Sequence, residues 1–305
     1  MNDRARLPAD KPMIFAGNPL DRGDALRRDE TALAQLPDSP SARYILFSSR
    51  RPLVASTGAL AWMERDDARA LAPDGEAYFL GHWGEFACFA LAAPDELDSV
   101  EAGQFTDTRQ AVMVMPPAET GVLAQGLALV NWHASHPYCS RCGGETRIAA
   151  GGAKRICTRC DAEHFPRVDP VVIMLATDGN HCLLGRQASW PAGMWSALAG
   201  FVEPGETLEE ACARELHEEA GVEVDIAGIQ YVFGQPWPFP SSLMIGLTAP
   251  VTNTALTVDT HELEAARWFS RQEIRSMMEG THAEASIPPR LAIASRLLED
   301  WINQA

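Results

Sequence analysis

Between Gly200 and Val222 the chain reads GFVEPGETLEEACARELHEEAGV, and this stretch restricts the fold more than any other. Thr207 with Glu210 forms a capping-box start for a helix, and Gly221 suits the left-handed position that ends one. The spacing predicts an acidic helix over 207–220. On it Glu215, Glu218 and Glu219 stand at i, i+3 and i+4, so three carboxylates share one face while Leu208, Cys212 and Leu216 form another. Like charges at that spacing repel and weaken a plain surface helix, whereas divalent cations bridging carboxylates to phosphate oxygens relieve the repulsion. Three glutamates taken alone also fit a solvated acidic face.

The flanking segments supply partners for this helix. PVVIMLA and HCLLGRQ read as paired strands, IQYVFG as a further strand, ARWFSRQEIRSMME as a strand entering a helix, and PPRLAIASRLLEDWINQ as an amphipathic C-terminal helix. They predict an α/β domain over 167–305. Upstream, Cys139-x-x-Cys142 and Cys157-x-x-Cys160 are separated by 14 residues, with glycine pairs at 143–144 and 151–152 suited to tight turns. Four thiolates at that spacing close the coordination of a tetrahedral, structural zinc, which places a small module at 135–166. His133, His136 and His164 are the alternative ligands nearby, and Cys88, Cys182 and Cys212 read as small buried apolar residues.

The first domain, 1–134, is less legible. TGVLAQGLALVNWHASH spaces Val122, Leu123, Leu127 and Val130 on one helical face leading into the cysteines. Over 41–120, short apolar runs alternate with turn signals, as in a compact α/β or mostly β domain. Residues 1–40, rich in Pro, Asp and Arg, read as including an irregular surface arm ahead of a first strand near Tyr44–Phe47. No internal repeat is evident. The fold class expected for the whole is α/β (α+β).

Charge narrows the function. The 41 acids against 25 bases leave a formal charge of −16, which repels polyanions at long range and argues against broad nucleic-acid binding. Arg141, Arg147, Lys154, Arg155 and Arg159 around the cysteines could grip nucleic acid or form a solvated face. The start MNDRARLPADKP lacks the apolar core of a signal peptide, no stretch is long and apolar enough to span a bilayer, and the paired cysteines suit a reducing compartment. A cytoplasmic protein is expected.

The fixed elements Gly200, Glu206 and Arg214-Glu215-Leu216-His217-Glu218-Glu219-Ala220-Gly221-Val222 match every specified position of the Nudix box, so the C-terminal domain resembles the Nudix hydrolases. The resemblance implies a mixed sheet sandwiched between helices. It implies Mg2+ or Mn2+ at Glu215, Glu218 and Glu219, with Arg214 orienting a glutamate, Glu206 supporting the loop and Gly200 allowing close backbone approach. Such a metal polarises a diphosphate and lowers the pKa of a bound water. The general base varies across Nudix families, with Glu218 and Glu219 the leading choices.

Downstream, GQPWPFPSS at 234–242 holds three prolines around Trp237 and Phe239. Stiff backbone and aromatic rings suit a stacking platform, or equally a buried core loop. The segment resembles the SQPWPFPxS signature of NADH pyrophosphatases (NudC type), with Gly234 where the signature has Ser. Those proteins combine an N-terminal domain, a four-cysteine zinc ribbon and a C-terminal Nudix domain in this order. The resemblance implies that Gln235, Pro236, Trp237, Pro238, Phe239, Pro240, Ser241 and Ser242 contact substrate, together with Phe165, Phe201 and Ala294. It implies that the Ala199 carbonyl and Glu262 join the metal site, that the protein is a homodimer, and that Arg109 reaches substrate across the dimer. The reaction implied is NADH plus water giving reduced nicotinamide mononucleotide and AMP, with NAD+ and NAD-capped RNA 5′ ends as further substrates. ADP-ribose or another nucleoside diphosphate derivative is the alternative within the fold. A non-catalytic nucleotide sensor with a recruiting ribbon is the alternative outside it.

Overall fold

Residues 13–304 are described by a computed structural model. The chain divides into two units: one gathers Ile14–Val168 with Trp237–Ser241, the other Asp169–Pro236 with the chain from Ser242 onward.

In the first unit, α1 (Asp24–Arg27) and α2 (Glu30–Gln35) precede β1 (Ala42–Ser48), β2 (Arg51–Val54) and β3 (Met63–Glu64). Then come α3 (Arg65–Leu71), β4 (Ala77–Trp83), β5 (Phe86–Ala92), β6 (Ser99–Val100), β7 (Gly103–Phe105), α4 (Thr108–Ala111) and α5 (Pro117–Ser135). The strand order is β4-β5-β1-β2-β7-β6, with β3 also paired to β1. β1 and β5 run parallel, pairing Tyr44 with Phe89 and Leu46 with Leu91. Period-2 alternation divides these runs between two buried faces. Tyr44, Leu46, Phe79, Phe89 and Leu91 pack with Leu33 of α2 and Ala68 of α3. Ile45 and Phe47 meet α5 at Gly126, where an added Cβ would lie 2.8 Å from Ile45 and 3.0 Å from Phe47.

The expected surface arm is corrected for residues 13–40: Met13, Phe15, Leu20 and Leu33 are buried, and Asp29 caps α2 through the Ala32 N–H. Polar punctuation in this segment makes caps and turns rather than disorder. The part of that arm at 1–12 lies outside the described residues.

The cysteine segment forms β8 (Thr146–Ala149), β9 (Lys154–Cys157) and β10 (Glu163–His164), an antiparallel three-stranded ribbon. His133 near the end of α5 fastens it. Its ring stacks on Tyr78 at 4.1 Å, Arg155 donates to Nδ1 at 3.0 Å, and Nε2 lies 2.9 Å from the Gly152 carbonyl. Arginine can only donate, so Nε2 carries the proton of a neutral ring. Burial, with the Arg155 charge beside it, holds His133 down to about 4.

The second unit contains β11 (Asp169–Thr177), β12 (His181–Arg186), β13 (Leu198–Phe201), α6 (Leu208–Ala220), β14 (Gln230–Trp237), β15 (Ser242–Pro250), β16 (Ala265–Ser270), α7 (Arg271–Met278) and α8 (Ile293–Asn303). The strand order is β14-β15-β11-β12-β16, with β13 also paired to β11. Val172, Met174, Leu183 and Leu198 pack against Ala211, Cys212, Leu216 and Ala220 of α6. Gly246 of β15 meets Ile293 and Leu297 of α8. The mixed sheet between helices is the expected α/β arrangement.

The two sheets share one plan. β1, β2, β3, β5 and β7 follow the order and pairing sense of β11, β12, β13, β15 and β16: a parallel central pair flanked by antiparallel neighbours. The reading that the chain has no internal repeat is corrected at the level of fold. The repeat escapes the sequence because the helix after β3 has seven residues, RDDARAL, where the one after β13 has thirteen and carries the glutamates. Among the described residues, no helix is long and apolar enough to cross a membrane.

Candidate active site

The expected acidic helix is α6. Thr207 and Glu210 form the reciprocal capping box, and Gly221 ends the helix at φ 69°. Leu216 and Cys212 are fully buried, which fixes the rotation of the helix and sets Glu215 against Gly200 of β13.

Arg214 is the hub. Its Nε and one terminal nitrogen donate to the two oxygens of Glu206 at 2.6 and 2.9 Å, and that second nitrogen also reaches the Phe201 carbonyl at 2.9 Å. The other terminal nitrogen donates to Glu215 at 2.8 Å and Glu218 at 3.0 Å. A planar guanidinium suits this forked arrangement, which the point charge of lysine cannot reproduce. Glu206 also accepts the Glu203 N–H at 2.9 Å, so one ion pair folds the loop between β13 and α6. Arg214 and that N–H together hold Glu206 down at about 2.

Gly200 sits against this cluster. A Cβ added there would fall 1.9 Å from the Glu215 carboxyl carbon, so no other residue leaves that carboxylate in place. Glu219 is different from its neighbours: it is 6% exposed, and Oε2 has no hydrogen-bond partner. Burial and then the charges of Glu215, Glu262 and Glu218 push its carboxyl up to about 8. An orphaned buried carboxylate oxygen that feels the charge of three other carboxylates is a hard donor that fits a divalent cation. Glu262 is therefore near enough to act on both Glu215 and Glu219 electrostatically. Ala199 and Phe201 lie on β13 on either side of Gly200, and Phe201 is 59% exposed.

The GQPWPFPSS segment divides by role. Gln235 is fully buried, and its amide joins two backbone groups at the entrance to α8: Nε2 donates to the Leu291 carbonyl at 2.8 Å, and Oε1 accepts the Ile293 N–H at 2.9 Å. It holds the start of α8, where Ala294 is buried. Pro236 is the next-to-last residue of β14 and Trp237 the last, Ser242 opens β15, and the Phe239–Pro240 peptide is cis. Trp237 and Phe239 pack edge to face at 5.2 Å, and each meets Phe15, at 5.9 and 5.8 Å. The Arg109 guanidinium lies over Phe239 at 4.2 Å, and both residues line a 440 Å³ cavity with Arg50, Pro238 and Pro240. Ser241 follows in the same turn. Phe165, just past the ribbon, is 63% exposed. Phe15 was missed in the sequence, where nothing distinguishes it from any aromatic in a polar arm.

At the ribbon, one ligand atom from each of Cys139, Cys142, Cys157 and Cys160 lies within 4.8 Å of all the others. The Arg141 and Arg159 N–H groups point at Cys139 and Cys157 sulfurs, at 3.4 and 3.3 Å, as donors that stabilise thiolates. His133, His136 and His164 are outside this group.

The sequence matches the NUDIX domain over 166–290, the NADH pyrophosphatase-like rudimentary NUDIX domain over 41–132, and the NADH pyrophosphatase zinc ribbon domain over 134–165. It is 35% identical to the NAD-capped RNA hydrolase NUDT12 of Homo sapiens, over 95% of this chain and 73% of that protein. It is 42% identical to the mitochondrial NAD(P)H pyrophosphatase NUDT13 of Mus musculus, over 75% of this chain and 68% of that one. It is 33% identical to the NAD-capped RNA hydrolase NudC of Mycobacterium bovis, over 92% of both chains. The four cysteines are thus the zinc site of a ribbon.

Proposed function

Because the chain belongs to the Nudix hydrolases of the NADH pyrophosphatase type, we propose that it hydrolyses the diphosphate of NADH and NAD+, giving AMP and the reduced or oxidised nicotinamide mononucleotide. The observation that carries this reading is the unpartnered Glu219 oxygen, buried among Glu215, Glu218 and Glu262 beside the Arg214 hub.

Glu215, Glu218 and Glu219, with Glu262 and the Ala199 carbonyl, would hold Mg2+ or Mn2+. Bound there, the ion supplies charge for the diphosphate oxygens and acidifies water. Arg214 and Glu206 set the angle of the carboxylates and hold the loop before α6. Glu218 or Glu219 accepts the proton of the attacking water. Water adds to one phosphorus, the bridging P–O bond breaks, and each mononucleotide leaves with a phosphate. Phe201, Phe165 and the Trp237–Phe239 pair offer ring faces to the bases, and Arg109 offers charge to phosphate. The chain acts as a cytoplasmic homodimer, with 1–134, 135–166 and 167–305 as its working divisions.

Removal of NAD caps from RNA is a second activity of the same site. A cap binder needs few phosphate contacts, so the overall charge of −16 leaves this activity open. Chromatographic product analysis with NADH, NAD+, ADP-ribose and NAD-capped RNA tests the assignment. AMP and reduced mononucleotide from NADH are expected. Intact NADH alongside cleaved ADP-ribose would overturn the substrate and leave the chemistry.

A further inference from the structure

The first unit carries a cavity of 550 Å³ away from Phe239 and Arg109, lined by Arg43, Trp62, Trp83, Glu85, Phe86 and Glu119. That volume is in the range of small-molecule sites. Trp62 and Trp83 stand nearly perpendicular, at 82° with centroids 6.1 Å apart, and Trp83 and Phe86 are 41% and 37% exposed. Aromatic rings left open around a concavity are unusual for a surface that binds nothing.

The place is set by the repeated sheet. Trp83 ends β4 and Phe86 opens β5, as Trp237 ends β14 and Ser242 opens β15. Trp62 immediately precedes β3, and Glu119 is in the first turn of α5. The cavity therefore occupies, in the plan of the first sheet, the position that the aromatic loop occupies in the second. The glutamates have no counterpart: α3 offers only Asp66 and Asp67, and Asp66 is paired with Arg65 at 2.7 Å. Such a site binds without cleaving.

Its charges select the ligand. Arg43 is already engaged, over the Phe86 ring at 4.5 Å, bonded to the Pro40 and Ala42 carbonyls, and 3.4 Å from Glu64. Glu119 is fixed by the Leu60 N–H at 2.6 Å, and Glu85 stands in the hairpin between the aromatic walls. Ring faces carry negative charge, and two carboxylates add to it, so a planar cation is favoured over a neutral ring. We propose that this cavity binds the oxidised, pyridinium form of a nicotinamide nucleotide, at a site distinct from hydrolysis. The requirement for a cationic ring stands on the cavity; its identity as nicotinamide rests on the substrate reading above.

Calorimetric titration of the full-length, zinc-loaded protein in buffer free of other divalent metal tests this with N1-methylnicotinamide and its neutral counterpart nicotinamide. The cation is expected to bind once per chain, at least about tenfold more tightly than nicotinamide. Trp83→Ala and Glu119→Gln, the latter keeping an acceptor for Leu60, should each weaken the cation about tenfold. Trp237→Ala should not, and NADH turnover by the Trp83 and Glu119 variants should match the unaltered protein. No saturable binding at millimolar cation, equal affinity for both probes, or loss confined to Trp237→Ala would overturn the proposal. Absence of NADH hydrolysis with Trp83-dependent binding intact would instead overturn the substrate reading alone.

Discussion

Arg214 shows how much one residue organises here: its five donors reach Glu206, Glu215, Glu218 and the Phe201 carbonyl. Replacing it by Lys keeps the charge and loses the fork, so NADH turnover should fall about 10–100-fold with the folded spectrum retained. Gly200→Ala should act through the same carboxylate, since its methyl would occupy the place of the Glu215 carboxyl group. Turnover there should also fall about 10–100-fold, and unchanged kinetics in either variant would contradict the geometry. The glutamates were legible in the sequence because i, i+3, i+4 spacing forces them together on a helix. The burial of Glu219 was not, because it depends on how β13 and the Glu262 segment pack around that face. Gln235 is a similar case: the hydrogen bonds of its amide to the Leu291 carbonyl and the Ile293 N–H, at the entrance to α8, were not legible, because they join segments far apart in the chain.

At the scale of elements, the ends of α6 were readable to the residue, since the capping box and the left-handed glycine are local chemistry. Thr207→Ala should lower stability by about 1 kcal/mol in urea denaturation. The ribbon's attachment to α5 was not readable, because His133 and Arg155 meet only in three dimensions. That attachment gives a pH dependence. His133 has its folded pKa depressed to about 4 from 6.5, so as pH falls through that interval only the unfolded chain takes up the proton. Its contribution to stability is complete above the unfolded value and declines as pH drops, by about 1.4 kcal/mol at pH 5.5. His133→Gln should remove about that much of the difference in unfolding free energy between pH 7.5 and 5.5. An unaltered difference would show that the ring is not buried neutral.

For the whole molecule, the sequence yielded the second sheet and left the first as unordered apolar runs. The reason is physical: a sheet buried on both faces gives continuous runs such as RYILF, whose order is set by pairing rather than by local pattern. The shared strand plan became visible only with the registers, and the aromatic cavity of the first sheet with it. The four cysteines were legible in full, because closed tetrahedral coordination needs only their spacing. Stripping zinc with a thiol-competing chelator should release one ion per chain and open 139–160 to proteolysis. Protection unchanged after complete release would contradict a structural role.

If Glu219 and its neighbours form a metal-dependent diphosphate hydrolysis centre, NADH turnover with Mg2+ or Mn2+ depends on the Glu219 carboxylate, which Glu219→Gln at equal zinc content measures. A fall in kcat of about a thousandfold is expected, with the fold intact and manganese binding weakened in electron paramagnetic resonance titration. Turnover and manganese affinity matching the unaltered protein would contradict it, and would place the chemistry elsewhere in the chain.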